Sequence, residues 1–468
     1  MEDPLIKGTL QALYAEDKTF RDPVHRDILV NHLETSVVDT EIFQRLRRIR
    51  QLGTAHLVYH GAEHSRFGHS LGSLEMAQQL LESVRKNSFS TYRIFGSDIQ
   101  DVFFRMVVRL AALVHDLHEF PLSHTLEKEG KIFGSQWEDE DLNSIILGEQ
   151  SEVFNAIYER IYKMLLEVVE SDVSKNASKD KQRKLTEPGL SGQGKLESLS
   201  RRMTATIITY VLMLQKDSDQ KPAEVMRTLF TTDKLLMPGI IDEKFLFAGS
   251  MIVANTISAD LLDYAVRDFF YSGLKKTYDE RFIKYAAVTD YKGKQGKPRI
   301  VFAYRLISKK GEVKESVLSS LFDVFELRYD LAEYVHNHKT KNAFSAMVIE
   351  AVNFHYQALS TEQQLQFRRK ILWMGDDELL WYIRGDRDAP SKSPSKLILD
   401  DYYRRKPYKE VVLAKRWDES TEFVLKKNKS LSARRRLYLE KLLVAYFNLI
   451  LPERLSPNSL TMHLVRFS

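Results

Sequence analysis

The chain has 468 residues, a length at which a single hydrophobic core usually stops growing, so one large domain with appendages or two domains are expected. Apolar residues make up 43% of the chain, enough to fill a large core, and the net charge of +5 suits anionic ligands without indicating nucleic acid. Because cysteine is absent, disulfides, thiolate zinc sites and cysteine nucleophiles are excluded. Any bound metal must therefore be held by His, Asp and Glu.

The first ten residues, MEDPLIKGTL, lack the basic stretch and apolar core of a secretory signal. No window reaches the roughly 18 uninterrupted apolar residues typical of a membrane span. We therefore expect a cytoplasmic protein with no membrane partner.

Taken in order, residues 18–30 alternate in polarity and contain an Asp-Pro turn signal, which predicts a short hairpin. From about residue 40 onward, apolar residues mostly recur every three or four positions, which predicts a mainly α chain. Residues 173–201 are poor in large apolar residues and rich in Lys, Ser and Gly, so we expect a mobile insertion there. Alternating stretches between turn residues predict a few additional strands near residues 299–306.

Towards the C terminus, the pattern predicts a helix over residues 317–340. A second polar segment, residues 384–396, separates this region from a C-terminal part that ends in an apolar helix at residues 434–450. The sequence contains no internal repeat. We therefore expect an α-rich C-terminal lobe.

Several polar residues fall where the predicted helices should be apolar. His69 lies in the first turns of one helix, and His115 and Asp116 lie side by side near the end of another. Buried imidazole and carboxylate groups need hydrogen bonds, ionic partners or a cation, because desolvation is costly. On a third helix, offsets of four, seven and eight residues from Asp260 place three further polar residues on one predicted face: Tyr264, Arg267 and Asp268.

Two imidazoles and two carboxylates from three helices would make a four-ligand site for a hard or borderline divalent ion, with positions left open for water. Such an ion lowers the pKa of its water and assists attack on phosphorus. The alternative is purely structural. A helical His-Asp pair more often caps a carbonyl or lies half exposed, and Asp260 alone would be a solvated acid.

The sequence resembles the HD-domain phosphohydrolase superfamily, and within it the deoxynucleoside triphosphate triphosphohydrolase branch that includes the sterile-alpha-motif-and-HD-domain enzymes. The resemblance covers roughly residues 18 to 340, with a weaker similarity at YYRRKPYKEVV. It implies an HD-domain helical fold, with a core at residues 1–300 and an α-rich lobe at residues 301–468 that completes the nucleotide pocket and oligomer contacts. The matching motifs are FRDPVHRDI, VVDTEIFQRLRRIRQLGTAHLVYHGAEHSRFGHSLG, LAALVHDLHEFPLSH, DLLDYAVRDFFYSG and LFDVFELRYDLAEYVHNHK.

The resemblance also implies roles for individual residues. The implied metal ligands are His69, His115, Asp116 and Asp260. Cations and a histidine implied to contact the phosphates are Arg66, His124, Arg328 and Lys339. Residues implied to lie near the sugar are Gln51, Leu52, Tyr264 and Asp268. For those other than the metal set and Arg66, the alternative is an ordinary helix-surface or core residue.

Departures from the family pattern affect proton transfer and sugar selection. His118 and Glu119 stand where the relatives have glycine and a catalytic histidine, and Asp139 stands in the position of another histidine. Glu119 is our candidate proton donor. Leu261 replaces a phosphate-binding lysine found in some relatives, and His336 replaces a tyrosine that excludes the ribose 2′-hydroxyl. Deoxyribose discrimination is therefore open.

We expect one divalent metal ion (Mn, Mg, Fe, Zn or Ni) and a nucleotide substrate. In the leading hypothesis, activated water attacks the α-phosphorus of a deoxynucleoside triphosphate, which releases nucleoside and triphosphate. A second hypothesis is a nuclease or phosphodiesterase, with nucleic acid as a partner of basic segments near residues 175–201 and 431–441. A third is a non-catalytic nucleotide-sensing module, which the changed histidine positions favour and the intact ligand set opposes.

Regulation is inferred by resemblance alone. The positions that receive an activating guanine nucleotide between subunits of the animal enzyme match four residues here: Lys18, Asp39, Gln44 and Arg47. The alternative is that these residues simply bridge helices. The resemblance also implies a homo-oligomer, a dimer or a tetramer.

Overall fold

The computed structural model describes residues 3–88, 98–126, 132, 145–176, 190–215, 222–230, 236, 240–241, 243–292, 298–308, 310–385 and 393–408. Asp139 and the helix predicted at residues 434–450 lie outside this part of the chain. None of the helices in these ranges combines the length and the apolar composition needed to cross a bilayer.

The described chain is mainly helical and contains two small antiparallel sheets, which confirms the predicted fold class. The strands are Glu16–Asp22 (β1), Arg26–Asn31 (β2), Ala286–Lys292 (β3) and Pro298–Tyr304 (β4). The helices are Pro4–Tyr14 (α1), His32–Val38 (α2), Glu41–Gln44 (α3), Arg66–Ser88 (α4), Asp98–Val114 (α5), Glu152–Asn176 (α6), Leu190–Gln215 (α7), Pro222–Leu229 (α8), Glu243–Val253 (α9), Ala259–Tyr271 (α10), Glu315–Leu331 (α11), Lys339–Gln357 (α12), Thr361–Ile371 (α13), Asp376–Arg384 (α14) and Pro394–Tyr403 (α15). Short 3₁₀ segments occur at Arg45–Arg48, Gly53–Leu57 and Glu280–Tyr285, and a π-helical turn at Ala332–His336 follows α11.

The predicted N-terminal hairpin is formed by β1 and β2. Its turn is stabilised by Asp22, whose Oδ1 accepts hydrogen bonds from the backbone N–H groups of Val24 and His25, both at 2.9 Å. Aspartate favours turns because its short side chain can bond to the backbone two residues later. Ile28 and Val30 are fully buried, so one face of the hairpin joins the core.

The larger hydrophobic cluster is centred on α4, α5 and α10. Helix α4 contacts both of the others. Helix α5 is apolar around most of its circumference, which is typical of a helix at the centre of a core. Its buried apolar residues are Ile99, Phe103, Phe104, Met106, Val107, Val108, Leu110, Ala111, Ala112, Leu113 and Val114. The chain segment that follows α5 therefore begins at the end of a helix that is packed into the core.

A second hydrophobic cluster is formed mainly by α12 to α15, the C-terminal lobe of the described chain. Residues that follow the His115-Asp116 pair also belong to this cluster, namely Phe120, Leu122 and Leu126. The segment after the pair is thus packed against the C-terminal lobe rather than against α5. The position of the domain boundary at residues 300 and 301 stays a prediction.

Helices occupy both ends of the segment at residues 173–201 that the sequence predicts as a mobile insertion. Helix α6 extends to Asn176, and α7 begins at Leu190. Leu196 is buried and Leu199 packs against the larger cluster, so the few apolar residues of this polar segment suffice to hold the start of α7. Residues 190–201 are thus helical, while residues 177–189 lie outside the described chain, and the mobility of residues 173–201 stays a prediction.

Gly72 allows α10 to approach α4 closely, and its replacement tests this packing. A Cβ at position 72 would overlap Asp263 Oδ1 and lie 2.5 Å from Arg267 Nη2, both buried charged groups. We expect Gly72→Ala to lower the free energy of unfolding by roughly 1 to 3 kcal/mol, measured by urea denaturation. The control is Gly194→Ala on α7, where no described atom lies within 4 Å of the added Cβ. That change should stabilise the helix by roughly 0.5 to 1 kcal/mol, and similar effects of the two changes would contradict the packing.

Candidate metal and active site

Three helix ends converge on one point of the larger cluster. His69 lies in the first turn of α4, His115 and Asp116 directly follow α5, and Asp260 is the second residue of α10. The start of α4 is fixed by its first backbone N–H, from Arg66, which donates to the carbonyl of Ile49 at 2.9 Å. Because each polar side chain lies at a helix end, it reaches the common point without interrupting the apolar contacts along its helix.

The two imidazoles and two carboxylates alternate around this point. His69 Nε2 lies 3.4 Å from Asp116 Oδ2 and 3.2 Å from Asp260 Oδ1. His115 Nε2 lies 3.4 Å and 3.6 Å from the same two oxygens. Nitrogen and oxygen ligands that share an ion at about 2.1 Å, at right angles, are about 3 Å apart. Ligand atoms of His69, His115 and Asp260 all lie within 4.8 Å of one another, so this cluster could hold a metal ion.

The hydrogen bonds of the two imidazoles use one ring nitrogen of each and leave the other available to bind a metal. His69 Nδ1 bonds to Asp263 Oδ2 and His115 Nδ1 bonds to the carbonyl of Ala112, each at 2.7 Å. Both partners are acceptors, so Nδ1 carries the proton and the Nε2 lone pair is directed at the cluster. Within the described chain, neither buried Nε2 atom has a hydrogen-bond partner. Two buried, unsatisfied nitrogens beside two carboxylates match the requirements of a cation.

The electrostatics of the cluster are dominated by its carboxylates. Burial lowers the pKa of His69, but the neighbouring carboxylates of Asp116, Asp260 and Asp263 outweigh it, and the pKa is raised well above its usual value. Burial raises the pKa of Asp116, but Arg66 and the two histidines hold it well below its usual range. The pKa of Asp260 is likewise lowered by His115 and His69 despite burial. The negative potential that retains a proton on an imidazole would also stabilise a metal cation.

Asp260 is the part of the cluster that solvent can reach. Its side chain is 35% exposed, whereas the side chains of Asp116 and His115 are each 12% exposed and that of His69 is 1% exposed. A ligand can therefore approach from the side of α10. The other three groups form the buried wall.

Asp263 orients His69, and sequence reasoning missed it. Its carboxylate is fully buried and bonds to His69 Nδ1, to His25 Nε2 at 2.6 Å, and to the guanidinium of Arg267 at 2.9 to 3.1 Å. Arg267 also bonds to Asp22 at 2.9 and 3.2 Å. The turn of the N-terminal hairpin is thus connected through Asp263 to the candidate metal site.

The helical spacing predicts that Arg267 lies on one face with Asp260, Tyr264 and Asp268. In the structure, Arg267 is 1% exposed and paired with Asp263 and Asp22, so it supports His69 indirectly. The signal that could have located this support is the spacing of four residues between Asp263 and Arg267, which is typical of a helical ion pair.

Arg66 lies beside the cluster and is 2% exposed. Its Nη1 donates to Asp116 Oδ2, its Nε donates to Ser123 Oγ at 3.0 Å, and its Nη2 lies 3.7 Å from Glu119 Oε1. Among the described residues, Nη2 has no hydrogen-bond partner. A buried guanidinium with one free edge is suited to binding an oxyanion.

The structure brings Glu119 and His124 together, with Glu119 Oε1 3.5 Å from His124 Nδ1. Glu119 is 4% exposed and its Oε2 has no hydrogen-bond partner within the described chain, whereas the side chain of His124 is 46% exposed. His118 lies between Leu117 and Glu119 and is half-buried. Its part in proton transfer, like that of the undescribed Asp139, stays a prediction.

Residues predicted to lie near the sugar are linked by His64, which sequence reasoning also missed. The backbone N–H of Gln51 donates to the carbonyl of His64 at 2.9 Å, and His64 Nε2 bonds to Asp268 Oδ1 at 2.8 Å. His336 Nε2 lies 4.0 Å from Asp268 Oδ2. Leu52 is buried beside Gln51. A single histidine in an irregular segment has no periodic signal, so the sequence did not mark it.

The residues predicted to bind the phosphate tail are Arg328 and Lys339. Burial and the charge of Asp260 raise the pKa of Tyr264, and the nearby cation Arg328 opposes the rise. Tyr264 and Arg328 are both half-buried, whereas Lys339 is exposed at the first residue of α12. The phosphate contacts of Arg328 and Lys339 stay predictions.

The four residues predicted to bind an activating nucleotide form two local pairs. Lys18 Nζ lies 2.6 Å from Asp39 Oδ2 in an exposed ion pair. Arg47 Nε donates to Gln44 Oε1 at 2.8 Å, and its guanidinium lies 3.5 Å from the ring centre of Phe67. Both pairs bridge neighbouring parts of the chain, and nucleotide binding at these residues stays a prediction.

No protein-family model matches the sequence, but individual proteins are similar to it. The mouse deoxynucleoside triphosphate triphosphohydrolase SAMHD1 is 28% identical over 341 residues, covering 71% of this chain and 43% of the mouse protein. The SAMHD1 homologue of Dictyostelium discoideum is 23% identical over 395 residues, 84% of this chain and 60% of that protein. This chain is similar to the SAMHD1 triphosphohydrolases over most of its length. The resemblance inferred from its motifs is thus confirmed.

The relationship does not extend over whole proteins. The chain spans less than half the length of the mouse relative. The uncharacterized protein YwfO of Bacillus subtilis is 43% identical, but only over 136 residues, which are 29% of this chain and 28% of YwfO. Activity, substrate and partners therefore do not follow from similarity alone.

The hairpin turn should contribute to metal affinity through Asp263. Removing the imidazole in His25→Ala releases one anchor of the carboxylate that orients His69, and such supporting contacts typically affect metal affinity by roughly 10- to 100-fold. We expect the dissociation constant for Mn²⁺ alone, measured by calorimetric titration, to rise by about tenfold or more. The matched control is His60→Ala, an exposed histidine. Equal manganese affinity of the two variants would rule out this role of the hairpin.

Proposed function

We propose that the chain is a metal-dependent phosphohydrolase that converts deoxynucleoside triphosphates to deoxynucleosides and inorganic triphosphate. The observation that carries this proposal is the convergence of two imidazole nitrogens and two carboxylates beside the buried guanidinium of Arg66. The names of the SAMHD1 relatives supply the substrate class.

One divalent ion is the proposed cofactor, held by His69, His115, Asp116 and Asp260. Manganese, magnesium, iron, zinc and nickel all accept mixed nitrogen and oxygen ligands to different degrees, so the donor set does not select among them. When bound, such an ion activates water and polarises a phosphoryl oxygen. The protein contributes the tautomers, through Asp263 and the carbonyl of Ala112, that keep both Nε2 lone pairs available.

Arg66 binds a phosphate oxygen through Nη2 in this proposal, while Nε stays on Ser123. Because the guanidinium is already buried, substrate binding requires little further desolvation or reorganisation of this group. His124, more exposed than Glu119, contacts the phosphate from the solvent side, with Arg328 and Lys339 further along the tail.

In the hydrolysis step, the oxygen of water forms a bond to the α-phosphorus, and the bond from the α-phosphorus to O5′ breaks. The electron pair of that bond goes to O5′, which needs a proton to leave as the nucleoside hydroxyl. In this proposal the carboxyl group of Glu119 donates that proton to O5′, and the proton that the attacking water releases restores the carboxyl group. Arg66 Nη2 and His124 Nδ1 lie 3.7 and 3.5 Å from Glu119 Oε1. Gln51, Leu52, Tyr264 and Asp268 surround the sugar, and His336 takes part in selecting it.

Further parts of this assignment rest on the resemblance. They are a dimeric or tetrameric assembly and nucleotide activation at Lys18, Asp39, Gln44 and Arg47. A cytoplasmic location is proposed as well, independently of the resemblance. The basic segment at residues 431–441, and residues 177–189 of the one near residues 175–201, lie outside the described residues. We therefore do not propose nucleic acid as a substrate, and the activity assay includes single-stranded DNA as a test.

Product analysis with manganese tests the activity. We expect purified protein to release inorganic triphosphate from each deoxynucleoside triphosphate, measured by ion-exchange chromatography, and to leave labelled single-stranded DNA intact. His115→Ala should abolish release because it removes one of the proposed metal ligands, while His60→Ala should not. Shortened strands would instead indicate a nuclease, and nucleotide binding without product would indicate a sensor. Full activity of His115→Ala would refute the metal-dependent mechanism.

The proton donor is tested separately by Glu119→Gln. The amide preserves the shape of the side chain but cannot deliver the proton, so we expect kcat to fall by roughly 10²- to 10⁴-fold. Manganese affinity should change little because Glu119 is not among the proposed ligands. The matched control is Glu82→Gln on the exposed surface of α4. A Glu119→Gln variant with wild-type kcat would show that the proton comes from another group.

A further inference from the structure

The turn that follows the His115-Asp116 pair has an unusual backbone. Leu122 and Ser123 both adopt the left-handed region, with φ of +65° and +52°. Residues other than glycine rarely adopt this conformation, because the Cβ approaches the backbone, and it persists where surrounding contacts impose it. Both residues are also almost fully buried.

Asp376 contacts this turn through one of its carboxylate oxygens. It is the first residue of α14 and is fully buried. Its Oδ1 accepts a hydrogen bond from the backbone N–H of Leu122 at 2.6 Å, and its Oδ2 accepts one from the backbone N–H of Arg50 at 3.0 Å. One carboxylate from the C-terminal lobe thus joins two separate backbone segments.

The same two segments are joined a second time by Ser123. Its hydroxyl donates to the carbonyl of Arg50 at 2.7 Å and accepts the hydrogen bond from Arg66 Nε at 3.0 Å. Asp376, Leu122, Ser123 and Arg50 therefore form a closed ring of contacts, and Arg66 is attached to it. The ring contains none of the four proposed metal ligands.

The charge of Asp376 agrees with its contacts. Burial raises its pKa to about 6, and the two backbone N–H groups and Arg50 limit the rise. At neutral pH the carboxyl is therefore mostly ionised, with both oxygens available as acceptors. Asp377 provides a contrast, because its side chain is 62% exposed and makes only a 3.4 Å ion pair with Arg50.

We propose that Asp376 is a positioning residue: from the C-terminal lobe it holds the turn at Leu122 and Ser123, so that Ser123 orients Arg66 towards the substrate phosphate. This inference rests on the proposed function for its effect on turnover. Its effect on the turn itself does not depend on that function.

Loss of one carboxylate oxygen should disturb Arg66 and spare the metal site. In Asp376→Asn the amide can accept at only one of the two positions, so either Leu122 or Arg50 loses its partner. Small displacements of a binding group can lower turnover by about 100-fold. We expect kcat to fall by roughly 10- to 100-fold, while the dissociation constant for Mn²⁺ changes less than about twofold, because no proposed ligand is in the ring.

The experiment compares Asp376→Asn with Asp377→Asn in the full chain. Three quantities are measured on both variants: hydrogen exchange of the peptide spanning residues 118–126, triphosphate release from dGTP, and the affinity for Mn²⁺ alone. Support requires faster exchange and slower turnover in Asp376→Asn only, with manganese affinity retained. Unchanged exchange, or turnover equal to that of Asp377→Asn, overturns the proposal.

Ser123→Ala keeps the test decisive if Asp376→Asn unfolds. It breaks the ring at another point, so it should also lower turnover with manganese affinity retained, and wild-type turnover would count against the proposal. If the wild-type protein releases no triphosphate from any nucleotide, the proposed function fails. Hydrogen exchange and the affinity for inorganic triphosphate, expected to fall in Asp376→Asn and not in Asp377→Asn, then decide the positioning role on their own.

Discussion

Two carboxylates and two imidazoles that face one buried point impose a requirement on the whole structure. Groups of this kind are stable away from water only when their charges and lone pairs are matched. Arg66 matches part of the charge of Asp116, and Asp263 fixes the proton of His69. The two Nε2 atoms remain without hydrogen-bond partners among the described residues, which is the arrangement expected around a cation. Helix α5 ends beside this point, and helices α4 and α10 begin beside it.

The fold class and the four residues that converge at the candidate metal site could be predicted from the sequence. Apolar periodicity predicted the helices, and the Asp-Pro turn predicted the hairpin, because both depend on local geometry. His69, His115, Asp116 and Asp260 could be selected because they fall where the predicted helices should be apolar and because they match the family motifs, and the structure brings them together. Their roles as ligands remain a proposal, but their proximity does not.

The supporting groups could not be selected in this way. His25, His64 and Asp376 act through partners that are distant in the sequence, and nothing in their local patterns distinguishes them from surface residues. Asp263 was overlooked although it lies four residues before Arg267, the spacing of a helical ion pair. At the start of α7 the polar composition predicted a mobile segment, whereas the structure has a helix there, with Leu196 buried and Leu199 packed against the larger cluster.

The contact between Leu122 and Asp376 joins residues 254 positions apart, and that between His25 and Asp263 spans 238. During translation, all four proposed ligands emerge from the ribosome well before α14 does. A stalled or truncated chain would therefore carry the four clustered side chains without the contact between Leu122 and Asp376. The proposed pocket wall is complete only after synthesis through residue 376.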